Sequence, residues 1–131
     1  GYTTDPGAAL IGLGTTAISQ FDTLIIQNDK HVASWRKAVL GGGLAGDRGV
    51  VRSDDDRARG AIIERLLCDG AVDIGSAYAP ARAALRPYAE DGLIALDGGK
   101  VQLLPAGRPY ARLIAAAFDA HFAGQRHSRA V

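Results

Sequence analysis

Residues 53–70, SDDDRARGAIIERLLCDG, carry the signals of a complete helix and decide the fold of the chain around them. Ser53, followed three residues later by Asp56, matches the capping-box pattern at a helix N-terminus. The acids at 54–56 lie where the positive end of a helix dipole favours negative charge. The sequence therefore predicts that a helix begins at this point.

The same stretch has an apolar stripe and a stop signal. Ala58, Ile62 and Leu66 recur at i, i+4 and i+8, so one face of the predicted helix is apolar and requires a partner. Gly70 can adopt the left-handed conformation that commonly ends a helix. Nothing in the stretch has the pattern of a catalytic site.

Composition limits the classes of protein to consider. The 131 residues suit one domain, or one small domain with a fragment of another. Fifteen Lys and Arg against fourteen Asp and Glu give no electrostatic argument for nucleic acid or a membrane surface as partner. The single cysteine excludes an intramolecular disulfide and favours a reducing, cytoplasmic location. No apolar run approaches the roughly 20 residues of a membrane span, and the absence of Met suggests a piece of a longer protein.

A short apolar run near the N-terminus predicts a buried strand over 10–13. In a parallel sheet, small residues such as Gly14, Thr15 and Thr16 at the strand end would let a ligand approach the backbone. A nucleotide-phosphate loop is one interpretation, although a third glycine at the dinucleotide spacing is missing. A tightly packed strand end is the favoured alternative.

The next segment predicts a surface helix and a boundary. Residues 30–40 place apolar side chains, Trp35 among them, at helical spacing. Three glycines follow, and residues 41–49 are flexible and polar enough to be a linker. We therefore expect one domain to end at residue 45 and another to begin at residue 46.

Within the expected second domain, the sequence from residue 76 predicts a helix followed by a β-hairpin. Residues 76–90 predict a short helix that Pro80 and Pro87 could break. Strands are predicted at 93–96 and 101–104, joined by the turn DGG.

A last helix is predicted after Pro105, whose missing N–H costs little in a first turn. Its expected apolar stripe consists of Tyr110, Leu113, Ile114, Ala117, Phe118 and Phe122. Residues 124–131 are predicted to form a loose tail. Helix, helix, hairpin and helix in this order predict a winged-helix-like domain.

Several short motifs occur in order along nearly the whole chain. They are GYTT at 1–4, LGTTAIS at 13–19, QN at 27–28, DDR at 55–57, LCD at 67–69, VD at 72–73, DGLI at 91–94, PAGR at 105–108 and SR at 128–129. Together they resemble the C-terminal third of the oxygen-independent coproporphyrinogen III oxidases, which are radical S-adenosylmethionine (SAM) enzymes.

The resemblance implies a parent enzyme of haem biosynthesis that oxidatively decarboxylates coproporphyrinogen III to protoporphyrinogen IX. In that family a [4Fe–4S] cluster, held by a Cys-x3-Cys-x2-Cys motif, splits SAM to start radical chemistry. This chain has only Cys68, so both cofactors are expected in the intact parent and neither in the fragment. The fold expected from the resemblance is mainly α with a small β-hairpin. Residues 1–45 would be the last strand and helix of a radical SAM (β/α) barrel, and 46–131 a winged-helix-like accessory domain.

The resemblance also implies a partial cofactor site. The family's counterpart of residues 14–19 lies against bound SAM, which makes Gly14, Ala17 and Ile18 the candidate cofactor-binding residues. No catalytic residue and no metal ligand is assigned. The substrate partner would be coproporphyrinogen III, and a barrel remnant exposed without its neighbours could pair with a second copy.

DNA binding by the winged helix is the alternative function. A DNA-reading helix needs cationic side chains, and the candidate helix over 78–89 offers Arg82 and Arg86, with Lys100 in the wing. Two solvated arginines on a packing domain are the favoured interpretation. In that case these arginines could instead bind the carboxylates of the substrate.

The remaining reactive side chains do not form an evident site in the sequence. His31, His121 and His127 lack the close spacing of a local metal site, so surface or packing roles are expected. Cys68 is expected to be a small buried apolar side chain, since no histidine lies near it in sequence.

Overall fold

The structure is a computed structural model that describes residue 7 and residues 9–122. The predicted tail at 124–131, His127, and the motifs at 1–4 and 128–129 lie outside the described residues. Two compact units divide between Arg57 and Ala58. We call residues 7–57 the N-terminal unit and residues 58–122 the C-terminal unit, and describe each by itself.

The N-terminal unit is built on a three-stranded antiparallel sheet. Strand β1 (Ile18–Gln20) pairs with β2 (Leu24–Asn28), which pairs on its other side with β3 (Gly46–Val51). Helix α1 (Val32–Leu40) connects β2 to β3. The β-branched and apolar residues of β2 suit its central position between two partners.

Two predictions for this unit are wrong. Residues 10–13 do not form a buried strand: Leu10 makes an isolated bridge to Gln20, and Leu13 is 89% exposed. An apolar run can be buried only where neighbours cover it, and none does so here. The predicted linker at 41–49 is also wrong, because Gly46–Val51 becomes an edge strand by pairing with β2. The compact units divide after Arg57.

Helix α1 begins slightly later than predicted and ends where the glycines predict. The Asp29 carboxylate accepts a hydrogen bond from the His31 backbone N–H at 2.8 Å, just before the helix. After Leu40, the backbone N–H of Gly41 still donates to the Lys37 carbonyl at 3.0 Å. Trp35 is half-buried.

Helix α2 (Asp54–Asp69) confirms the helix predicted from residues 53–70. The Ser53 backbone N–H donates to the Asp56 carboxylate at 2.9 Å, and the Asp56 N–H donates to the Ser53 hydroxyl at 3.1 Å. These reciprocal bonds form the predicted capping box. Gly70 has φ of +74°, the left-handed conformation that ends the helix. Ala58 is exposed, so the buried stripe consists of fewer residues than predicted.

The C-terminal unit contains a second antiparallel sheet. Helix α3 (Ala79–Glu90) follows the short strand β4 (Ala71–Asp73), and the predicted hairpin is confirmed as β5 (Ile94–Asp97) and β6 (Lys100–Leu103). The strand order is β4-β6-β5, so β4 completes a sheet that the sequence predicted as a hairpin alone. Helix α3 is continuous although Pro87 lies inside it.

The predicted last helix is broken into three segments. They are a 3-10 helix (Pro105–Tyr110), helix α4 (Ala111–Ala115) and a second 3-10 helix (Ala116–Phe118). A Cβ on Gly107 would overlap the Leu93 carbonyl, so the chain packs there without a side chain. Pro109 also lacks the N–H that a continuing α-helix uses. These two constraints explain why one regular helix does not form.

The buried apolar side chains lie in the C-terminal unit. They are Ile62, Leu66, Val72, Ile74, Ala81, Leu85, Ile94, Val101, Leu103, Ile114, Ala115 and Phe118. Between residues 9 and 57, Ser19 alone is buried, and no apolar side chain is.

Both units therefore combine helices with a small sheet, and the β content exceeds the predicted single hairpin. The additional strands are β1–β3 and β4, and of these β3 and β4 depend on pairing with strands that are distant in sequence. No helix among the described residues is long and apolar enough to cross a membrane.

Candidate functional site

The candidate SAM residues lie in and beside a loop over residues 12–17 that leads into β1. Gly12 packs against the backbone of Ile18, where an added Cβ would come within 2.6 Å of the Ile18 carbonyl oxygen. Gly14 has φ of +102°, and a Cβ there would enter open space. A ligand can therefore approach the backbone closely at Gly14.

The side chain of Asn28, at the end of β2, holds this loop. Its Nδ2 donates to the carbonyl of Gly14 at 2.8 Å and to that of Gly12 at 3.2 Å. Its backbone N–H donates to the carbonyl of Ala17 at 2.9 Å. One residue thus fixes the loop at three points.

The neighbours of Asn28 add further contacts to the loop. The backbone N–H of Thr16 donates to the Asp29 carbonyl at 3.2 Å, and the Gln27 side chain donates to the Thr16 carbonyl at 3.3 Å. Thr16 has φ of +60°, an unusual conformation for a β-branched residue. The buried Ser19 hydroxyl accepts a hydrogen bond from the Gly12 N–H at 3.1 Å. The loop is therefore held from both adjoining strands.

The residues present fit an adenosyl group better than they fit an iron–sulfur cluster. Ile18 has 51% of its surface exposed and Ala17 is half-buried, so both offer apolar surface, although neither lines the cavity in whose wall Gly14 lies. A planar base can pack on such apolar surface. A [4Fe–4S] cluster needs several thiolates, and Cys68 is the only cysteine in the sequence. The cluster therefore does not fit this chain.

A cavity of about 700 Å³ opens beside the loop within the N-terminal unit. Gly14 and Asn28 lie in its wall, and Asp47 and Arg48 supply charge at another part of it. Most of the remaining wall is apolar and includes Leu13, Leu24, Ile26, Trp35, Val39 and Leu44. An apolar cavity with a few polar groups is the usual form of a small-molecule site.

A charged cluster lies at the start of α2. Arg57 donates to the Asp22 carboxylate at 2.6 Å and to the Asp54 carboxylate at 2.5 Å. The hydrogen bonds that Arg57 donates to Asp54 and, secondly, to Asp22 raise the pKa of Arg57 above its usual value. Asp54 and Asp22 are largely exposed, which weakens both ion pairs through solvent screening. The cluster fastens the turn after β1 to the helix N-terminus.

Arg82 has a structural contact that the sequence did not indicate. Its guanidinium donates to the Gly98 carbonyl at 2.5 Å and to the Gly75 carbonyl at 3.4 Å. These bonds tie the loop before α3 to the hairpin turn. The residue is thus engaged within its own unit, whereas Arg86 and Lys100 are exposed.

The other candidate residues remain apart. Among the described residues, no three His, Cys, Asp or Glu side chains are grouped as metal ligands. His31 and His121 are exposed, and Cys68 is half-buried rather than fully buried.

Asn28 is the main residue that sequence reasoning left without a role. The motif QN at 27–28 contributed to the family resemblance, and the chain contains no other asparagine. Its function in the loop depends on a side-chain contact across 14 and 16 residues of sequence, which no local pattern predicts.

Comparison with known proteins covers both units. Residues 53–110 match the HemN C-terminal domain. The chain is 36% identical over 143 aligned residues to an oxygen-independent coproporphyrinogen III oxidase of Bradyrhizobium diazoefficiens, covering 100% of the chain and 32% of the relative. It is 35% identical to the enzyme of the same description from Thermostichus vulcanus, covering 100% of the chain and 45% of that relative.

A solved structure is similar over most of the chain. It is the coproporphyrinogen III oxidase HemN from Escherichia coli, described as a radical SAM enzyme. The TM-score is 0.82 at 30% sequence identity, covering 92% of this chain and 30% of the solved chain. The chain thus spans about a third of the length of most of the relatives it matches.

Proposed function

Because the chain belongs to the oxygen-independent coproporphyrinogen III oxidase family and corresponds to its C-terminal region, we propose that it is part of an enzyme of that activity. The parent would oxidatively decarboxylate coproporphyrinogen III to protoporphyrinogen IX in haem biosynthesis. The observation that carries the proposal is the similarity in sequence and backbone over at least 92% of the chain.

The N-terminal unit would contribute to the cofactor site of the parent. Gly14, Ala17 and Ile18 would contact SAM: Ile18 through its exposed apolar side chain, and Gly14 through a backbone that no Cβ shields. SAM bound at the cluster would supply the radical chemistry of the reaction. The residues of this chain would orient the cofactor and keep water from one side of it.

The cluster ligands would come from another part of the parent. Cys68 alone cannot replace three cysteines, so the 131-residue chain by itself would have no turnover. Residues 1–45 would be the end of the parent's barrel, and residues 46–131 a winged-helix-like accessory domain. The order α2, α3 and the β5–β6 hairpin supports the second assignment.

The exposed apolar surface of the N-terminal unit supports a covering partner. Ten large apolar side chains between residues 10 and 51 are exposed, and extensive exposed apolar surface commonly marks an interaction site. We assign the cover to the rest of the parent, in the cytoplasm. The chain alone would instead self-associate, which sedimentation velocity at increasing concentration would detect and a constant monomer mass would contradict.

The activity is tested with the intact parent enzyme carrying its cluster. Under anaerobic conditions with SAM and an electron donor, it should convert coproporphyrinogen III to protoporphyrinogen IX. Replacing Ile18→Asp should weaken SAM binding, since a charge would replace the apolar contact. A loaded parent that binds SAM but leaves coproporphyrinogen III unchanged would overturn the proposed activity.

A further inference from the structure

Asn28 stands where the regular pairing of β2 is interrupted. The register between β2 and β3 shifts between Gln27 and Asn28, so that Asn28 is opposite Gly46. Such irregularities re-aim a side chain and are frequent beside functional sites. Here the Asn28 side chain lies against the loop over residues 12–17 and in the wall of the cavity.

The carboxamide of Asn28 matches the need of the loop. An asparagine amide carries two N–H donors, and the Nδ2 of Asn28 meets two carbonyl oxygens, those of Gly12 and Gly14. An aspartate at this position has the same size but donates nothing when ionised. The contact therefore depends on the chemical identity of the side chain rather than on its volume.

The loop needs this support because its backbone is unusual. Gly14 and Thr16 both have positive φ. Thr16 is one of only two non-glycine residues in the described part of the chain with such a backbone angle. A non-glycine residue in that region persists where the surroundings fix it. The bonds from Asn28 fix the carbonyls on both sides of Thr16, those of Gly14 and Ala17.

We propose that Asn28 is a positioning residue for SAM binding. Its carboxamide holds the loop in the conformation that leaves the backbone of Gly14 open to the cofactor. The assignment rests on the proposed function, since it takes SAM as the ligand of this loop. Asn28 itself acts through the loop and need not touch SAM.

The test compares matched amide-to-acid substitutions in the intact, cluster-loaded parent. Asn28→Asp removes both donors without changing size, and Gln102→Glu makes the same chemical change on the exposed face of β6. SAM affinity is measured by equilibrium dialysis, alongside melting temperature and cluster absorbance. Asn28→Asp should bind SAM on the order of tenfold or more weakly, as the loss of two hydrogen bonds implies. Gln102→Glu should bind it as the unmodified parent does.

Two further readouts separate positioning from a general loss of structure. The KM for SAM should rise in Asn28→Asp while the KM for coproporphyrinogen III stays unchanged. Asn28→Gln keeps both donors on a longer arm and should give SAM affinity between those of the parent and Asn28→Asp. If Asn28→Asp does not fold, Asn28→Gln decides: weakened SAM binding at an unchanged melting temperature supports the proposal, and unchanged binding overturns it.

The remaining outcomes are distinct. Unchanged SAM affinity in Asn28→Asp, or equal losses of SAM affinity, substrate affinity and melting temperature, would overturn the positioning role. If Ile18→Asp weakens SAM binding while Asn28→Asp does not, only the role of Asn28 fails. If neither the parent nor its Ile18→Asp variant shows specific SAM binding, the proposed function fails and this inference fails with it.

Discussion

The two units differ in how they are stabilised. The C-terminal unit surrounds a continuous apolar core, in which Leu66, Leu85 and Phe118 are fully inaccessible to solvent. The N-terminal unit buries none of its apolar side chains among the described residues and relies on strand pairing and polar contacts. Since burial of apolar surface is the main favourable term in folding, we expect the two units to differ greatly in their independent stability.

The difference indicates where function depends on further chain. A unit with its own core can act as a separate domain, whereas an exposed apolar sheet and cavity belong to a larger assembly. In this molecule the candidate SAM residues lie in the unit without a core. The same arrangement that leaves Ile18 half exposed also leaves other apolar side chains of the unit open to solvent.

The same substitution, Leu→Ala, made once in each unit should give the largest difference in unfolding free energy. Leu66→Ala removes a side chain with 0% exposure and should lower the free energy of unfolding by about 2–5 kcal/mol. Leu44→Ala, at a position 97% exposed, should change it by less than about 0.5 kcal/mol. Urea unfolding followed by circular dichroism measures both. Equal effects would mean that the N-terminal unit has a core comparable to that of the C-terminal unit.

The cap of α2 gives a smaller effect that bears on both units. Ser53→Ala removes the hydroxyl that accepts from the Asp56 N–H, and should cost about 1 kcal/mol of unfolding free energy. Because α2 carries Ile62 and Leu66 of the C-terminal core, the loss should appear in the unfolding of that core. Ser76→Ala, at an exposed loop position, is the control. A cap variant indistinguishable from this control would show that the core does not depend on the first turn of α2.

Arg82 tests whether a charged side chain supports the C-terminal unit. Arg82→Ala removes the bonds to the Gly75 and Gly98 carbonyls and should cost about 1 kcal/mol. Arg86→Ala, one turn further along α3 and exposed, should be close to neutral. The same denaturation assay measures both. A larger loss from Arg86 than from Arg82 would contradict the structural role of Arg82.

The smallest effect is expected at Arg57. Its paired carboxylates raise its pKa above the usual value, so the guanidinium stays charged throughout the neutral range and its stabilising contribution is lost only in strong alkali, as pH rises through the raised pKa. Arg57→Gln should therefore cause a small loss that is independent of pH between 6 and 9 but shrinks with added salt, as screening implies. Melting temperatures at low and high NaCl test this. A loss that grows with salt would be inconsistent with ion pairing.

Local signals explain which elements the sequence predicted well. Ser53, Asp56 and Gly70 specify the ends of α2 through contacts within a few residues, and the turn DGG specifies the β5–β6 hairpin in the same way. Both were predicted close to their observed bounds.

Elements that depend on distant partners were predicted poorly. The segment GDRGVV has the composition of a linker and becomes β3 only because β2 pairs with it. Strand β4 has three residues, too few for a periodicity to appear. The run at 10–13 has the composition of a buried strand, but burial depends on whether other chain covers it.

The candidate site also combines residues that the sequence pointed to with a contact between residues distant in sequence. Gly14, Ala17 and Ile18 were assigned through family resemblance, and their assignment to SAM remains a proposal. The role of Asn28 in the loop required the three-dimensional structure, since its contacts reach back to Gly12 and Gly14.

Hydrogen exchange tests the contrast between the units most directly. In the 131-residue chain, we predict that amides of β5, β6 and α3 exchange far more slowly than those of β2 and β3, because a buried core must open before they exchange. In the intact parent, β2 and β3 should become protected to a similar degree, as further chain covers their apolar side chains. Equal protection of the two sheets in the isolated chain would contradict the account, since it would show that the N-terminal unit is stable without a cover.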